Sequence, residues 1–207
     1  MVPNDSPEPA DLTYVGQPID DRATLGRVPA DLRAVLETRN GWIAYRGGLH
    51  VRGASLAPTW HSLGYWWFGD DAIQRQFISV QPTDVPFAQD ALGDQFLLRD
   101  GEVHRLVGES GELQPLGMGL RGFLDAAGRD PVGFLGLEPL ERFIAGGASL
   151  EPGQLLSVYP PFVTAESRGS VTIRAISAAE RISFLAKLAR VVSGLDDGSS
   201  MRFDVTE

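Results

Sequence analysis

Three histidines, 27 carboxylates and no cysteine are the raw material for chemistry in this chain. A zinc site on a helix needs two histidines three or four positions apart. His50, His61 and His104 do not have that spacing, so a metal site would have to be assembled from distant segments. His50 and His104 fall in strand-like segments, where a solvent-facing ring is expected. The absence of cysteine removes disulfides, thiolate metal sites and thiol nucleophiles. A serine nucleophile needs the G-x-S-x-G turn between a strand and a helix, and GESGE (108–112) matches neither the pattern nor the setting. No G-x4-G-K-[ST] loop is present, and GGASLEPGQ has no lysine and no following helix to cradle phosphate. Neither a catalytic nor a cofactor-binding nor a metal-binding residue is assigned, and no cofactor is expected.

Four aspartates fall in DVPFAQDALGDQFLLRDG: Asp84, Asp90, Asp94 and Asp100. Their spacing is not that of a calcium loop. Paired carboxylates can serve acid–base chemistry when one is buried. Aspartate, however, also favours turns, because its side chain bonds nearby backbone N–H groups. The surrounding residues read as a hairpin. Pro86 forces Val85 toward an extended conformation, Gly93 marks a bend before the strand QFLLR, and Asp100–Gly101 is a two-residue hairpin signal before EVHRLV.

The elements on either side define the frame. PADLRAVLETRNG reads as a helix opened by Pro29, with Leu32, Val35 and Leu36 on one face and Asn40–Gly41 as its left-handed stop. GWIAYRGGLHVRGAS reads as strand and turn. PTWHSLGYWWFGDDAIQRQF follows, with Asp70 or Asp71 expected to cap a short helix from Ile73 to Phe77. On a strand, the adjacent Trp66 and Trp67 would point to opposite faces. One of them is therefore expected near the surface, where tryptophan anchors interfaces. Trp60, Trp66, Trp67, Asp70, Asp71, Asp84 and Asp90 are the candidate partner-binding residues.

GLRGFLDAAG, PVGFLG and EPLERFIAGG read as helices, and LLSVYPPFV and SVTIRAI as strands. SAAE is a capping box opening a last helix whose apolar stripe is Ile182, Leu185, Leu188, Ala189, Val192 and Leu195. Without regular β–α–β alternation the expected class is α+β, a mainly antiparallel sheet with helices packed around it. Residues 1–11, polar and proline-containing, are expected to be a disordered tail. Residues 12–207 are expected to form one domain.

A net charge of −9 argues against nucleic acid as a partner and favours basic proteins. No apolar run is long enough to span a membrane, and no secretory signal is readable at the N-terminus, so a cytoplasmic location is expected.

The early helix ending in Asn40–Gly41, the tryptophan-rich middle and DVPFAQDALGDQFLLRDGEVHRL together resemble the SUKH superfamily. That superfamily includes a fungal cell-wall glucan-synthesis regulator and many bacterial immunity proteins. The matching pattern is a Pro-Phe-Ala turn, an acidic residue, glycine, a strand and a glycine hairpin. GLRGFLDAAG and EPLERFIAGG are similar to the helices that close such domains. The resemblance spans roughly residues 28–147, which leaves 148–207 as a C-terminal extension. It implies a non-enzymatic α+β module that binds another protein, often a toxin that it neutralises. The alternative is a regulatory or scaffold protein of cell-envelope assembly that binds an endogenous enzyme. Neither oligomeric state nor partner identity is legible.

Overall fold

Seven short strands cross one antiparallel sheet in the order in which they occur in the chain: β1 (Tyr14–Val15), β2 (Trp42–Ala44), β3 (Leu49–Val51), β4 (Val85–Asp90), β5 (Gln95–Arg99), β6 (Glu102–Leu106) and β7 (Leu113–Pro115). Two more, β8 (Gln154–Tyr159) and β9 (Thr172–Ser177), form a separate antiparallel pair. The helices are α1 (Arg22–Arg27), α2 (Ala30–Thr38), α3 (Leu63–Phe68), α4 (Ile73–Gln76), α5 (Leu120–Arg129), α6 (Pro131–Leu135), α7 (Glu138–Ala145) and α8 (Ala178–Val192). This computed structural model describes residues 9–195. The class is α+β, as the sequence predicts.

Local chemistry explains the central strands. Asp100 and Gly101 have φ of +51° and +83°, the pair of positive angles that a type I′ turn requires, and they join β5 directly to β6. Gly93 takes φ +98° at the bend before β5. Pro86, Phe87 and Ala88 form no turn. They lie within β4, where a register shift between Pro86 and Ala88 bulges the strand and Phe87 packs edge-on against Phe123.

Alternation then divides the core. Leu49, Val51, Phe96, Leu98 and Val103 join Leu32, Leu36 and Phe123 in one buried cluster. Leu97 and Leu106 join Trp66, Ile73, Phe77, Leu155, Ile182 and Leu185 in a second. Strand neighbours point to opposite faces, so both faces of the sheet are covered.

Several boundaries differ from expectation. Ala10 and Asp11 are not a loose tail, because their carbonyls accept from the N–H groups of Tyr45 (3.0 Å) and Arg46 (3.2 Å). Residues 1–8 of that tail lie outside the described residues. Helix α2 ends with Arg39 extended, and Gly41, at φ +76°, stands two residues beyond it instead of serving as its cap. The N-cap of α4 is Ala72, with no side-chain cap. Leu195, expected on the apolar stripe, is 40% exposed.

Strand β8 and helix α8 are built into the core, and residues 196–207 of the expected extension lie outside the described residues. The Leu156 N–H donates to the Ala91 carbonyl at 2.8 Å, and α8 packs Ile182, Leu185 and Leu188 inward. Ser177 caps α8 by accepting from the Glu180 N–H. A Cβ placed on Gly93 or on Gly108 would fall within 2.8 Å of Leu185, so this leucine seats directly on the aspartate loop. Leu185→Ala is expected to lower stability by about 2–5 kcal/mol, measured by urea denaturation. A loss of only a few tenths would make α8 an appendage.

Candidate functional site

Asp84, Asp90 and Asp94 are structural, and their partners are arginines. Asp84 accepts both Arg99 Nε (2.8 Å) and Nη2 (2.6 Å) while holding the Gln81 N–H at 2.7 Å. Asp90 Oδ1 collects the N–H groups of Leu92, Gly93 and Asp94 at 2.9, 3.0 and 3.1 Å, closing the bend. Its Oδ2 meets Arg105, which also holds Asp94 at 2.8 Å. Burial and the neighbouring Asp94 push the Asp90 carboxyl upward, against the pull of Arg105 and the amide donors. Asp84 and Asp90 are both 1% exposed, so neither is a partner-binding residue. Turn chemistry, with ion pairing added, is what these residues perform.

Trp66 and Trp67 are also not surface anchors. They lie on a helix, not a strand, and successive helical residues point about 100° apart. Helix α3 is covered on both of the sides they occupy. Trp66 enters the second cluster and Trp67 the first, at 1% and 6% exposure. Their indole N–H groups donate to the carbonyls of Trp60 and Pro82, both at 3.2 Å. Trp60 is half-buried, with its ring against Gly153, Tyr14 and His50. Of the candidates, only Asp70 and Asp71 are exposed. Asp70 lies 3.8 Å from Arg75, and Asp71 accepts from the Tyr65 hydroxyl, whose pKa is pushed up to about 12 chiefly by that bond.

His50 is buried, against the expectation of a solvent-facing ring, and it belongs to a continuous polar line. Fully buried Arg52 donates to Pro86 O (2.7 Å), Gln89 Oε1 (2.6 Å) and Gln95 Oε1 (2.6 Å), with its guanidinium over the Trp66 ring. Gln89 Nε2 faces His50 Nδ1 at 3.4 Å, and His50 Nε2 faces His61 Nδ1 at 2.9 Å. His61 Nε2 faces the Asn40 carbonyl at 3.1 Å. Burial pulls Arg52 down to about 9, which leaves it charged at neutral pH, and pulls His61 down to about 4. The i, i+2 spacing of His50 and Arg52 was the available signal, since it places both on one face of the sheet. Polar strand residues normally face water, and the sequence does not show that α3 covers this face.

Two exposed features were not legible as sites. At the tip of the β8–β9 hairpin, Tyr159, Phe162 and Val163 are 49%, 45% and 39% exposed. The tip is fixed in place: the Val163 N–H donates to buried Glu109 at 2.8 Å, and Thr164 closes a turn onto Pro161. On the other side of the 109–111 turn, a groove of about 340 Å³ runs between α8 and Phe77–Ser79, beside highly exposed Ile78. Among the described residues, no group of three or more histidine, aspartate and glutamate side chains is arranged to hold a metal ion, and no helix is long and apolar enough to cross a membrane.

No family model matches the sequence. No curated protein matches it either. Among solved structures, the crystal structure of Atu4351 from Agrobacterium tumefaciens is similar over 85% of this chain and 85% of its own, with a TM-score of 0.56 at 12% identity. At that identity the likeness concerns the fold alone.

Proposed function

We propose that this chain is a non-enzymatic, SUKH-like module that binds a basic protein in the cytoplasm, and that the partner is a toxin it neutralises. The observation that supports this reading is the β8–β9 tip. An aromatic pair and a valine project from a loop that is already hydrogen-bonded in place. Interface energy concentrates in such aromatic anchors, and a preformed loop loses less entropy on binding. Exposed Glu166 and Arg168 flank the apolar residues as a polar rim would. The net charge of −9 supports a basic partner through faster encounter. The anchor thus moves from the buried Trp66–Trp67 pair to the hairpin tip, while Asp70 and Asp71 remain surface charges.

The test is matched affinity capture with the wild type and with Tyr159→Ser combined with Phe162→Ser. A partner held by the wild type is expected to bind the variant at least tenfold more weakly. Expressed alone, that partner should arrest growth, and co-expression of this chain should restore it. A partner that binds both proteins equally removes the tip from the interface. A tip-dependent partner without toxicity favours the regulatory alternative.

A further inference from the structure

The direction of every hydrogen bond in the buried line is fixed from its two ends. Arginine has donors and no acceptor, so Arg52 gives its protons to Gln89 Oε1 and Gln95 Oε1. Gln89 then presents its NH2 to His50, whose Nδ1 must accept. At the far end the Asn40 carbonyl can only accept, so His61 carries its proton on Nε2. Its Nδ1 is therefore the acceptor for His50 Nε2–H. Both tautomers are set, and the line runs one way from Arg52 to Asn40.

Such a line has no place for another proton. Protonating His61 brings two donors face to face at His50. Moving the His50 proton from Nε2 to Nδ1 moves the clash to Gln89, and flipping that amide moves it to Arg52, which cannot accept. The rings are stacked with centroids 5.2 Å apart, so added charge on one also opposes the other. The groups facing the pair are Arg52 just past β3, Gln89 from β4, the Asn40 carbonyl, the Trp60 ring and the Tyr14 ring from β1. The charge acting on both rings is that of Arg52, which repels a proton.

His61 also holds the N-terminal edge of the sheet. At Gly16, Gly41 and Gly53 an added Cβ would lie within 2.7 Å of its ring, so three backbone segments close directly on it. Asn40 ties the same place together through Gln17 O (2.8 Å), Ser55 Oγ (3.1 Å) and the Ala54 N–H (2.7 Å). The Gly53 N–H donates to the His61 carbonyl, and the Gly16 N–H to that of Gly41.

We infer that the His50–His61 contact is an acid-sensitive clasp: protonation parts the two rings and releases β1 and the 53–63 loop from the sheet while β5 and β6 stay in place. The sign follows from the chemistry. Burial, joined by the charge of Arg52, lowers both rings below the ordinary histidine value of 6.5. The opened, solvated rings therefore bind protons that the closed state refuses, and closure weakens as pH falls below about 6.5. Opening bares the edge of β2, a strand that a second chain could pair with.

Hydrogen exchange read by mass spectrometry tests the clasp, comparing pH 7 with pH 5.5 (~ values in the histidine range) after correction for intrinsic rates. Peptides covering 13–17 and 53–63 should exchange more than about tenfold faster at the lower pH, and those covering 95–106 should be unchanged. Uniform protection at both values, or loss of protection everywhere at once, would overturn the proposal. His50→Gln with His61→Gln cannot take up a proton in this range, so the folded variant should lose the pH response. A folded variant that keeps the response equally overturns it. If the variant does not fold, the wild-type comparison decides alone.

Discussion

Arg52→Met is expected to destabilise the protein by about 3–5 kcal/mol, because three buried acceptors lose their donor together. The side chain is 0% exposed and serves Pro86 O, Gln89 Oε1 and Gln95 Oε1 at 2.6–2.7 Å. Removing a desolvated charge returns part of the loss, since a buried ion carries its own penalty. That return is limited here because the acceptors remain buried after the guanidinium is gone. Arg52→Lys should rescue little: an ammonium is a point donor and cannot span acceptors that a planar fork reaches at once. Urea denaturation of both variants checks this. A loss under about 1 kcal/mol for Arg52→Met would mean that the acceptors find water or other donors.

Asp90 should separate charge from turn closure. Asp90→Ala strips the acceptor from three amide N–H groups and removes a partner of Arg105, at an expected cost of about 3–5 kcal/mol. Asp90→Asn keeps a carbonyl oxygen for those N–H groups and should cost far less, about 1–2 kcal/mol. The raised pKa of Asp90 points the same way, because this site accommodates a neutral carboxyl more readily than water does. Equal losses in the two variants would show that the charge, not the turn, is what the fold requires. The same comparison disposes of Asp90 as a binding residue: neither variant should alter partner affinity once folded.

What the sequence made visible is decided locally. The I′ turn at Asp100–Gly101, the cap at Ser177 and the proline-opened helix at Pro131 depend on residues within a few positions of one another, and all three stand as expected. What it hid depends mostly on covering elements, the local cap of α3 being the exception. Trp66 and Trp67 read as strand from the WW pair alone, but Ser62 is the N-cap of α3, where its hydroxyl accepts from the Tyr65 N–H. The aspartates could be identified as turn formers, but their arginines are 11 to 15 residues away, across strand pairings that only the fold supplies. The hairpin tip is not legible in the sequence because YPPFV carries no polar marker, and exposure depends on what fails to pack over it.

Association kinetics with the captured partner test the binding proposal most directly. They should be measured from low to physiological ionic strength for the wild type, for Phe162→Ser and for Asp70→Lys with Asp71→Lys. Surface charge governs encounter and buried aromatic area governs escape. The wild-type association rate should therefore fall as salt rises, and the double lysine variant should associate more slowly, most clearly at low salt. Phe162→Ser should leave association unchanged and dissociate at least tenfold faster. An acidic partner whose association ignores salt, together with a Phe162→Ser variant that dissociates at the wild-type rate, would contradict a charge-steered, aromatic-anchored binding module.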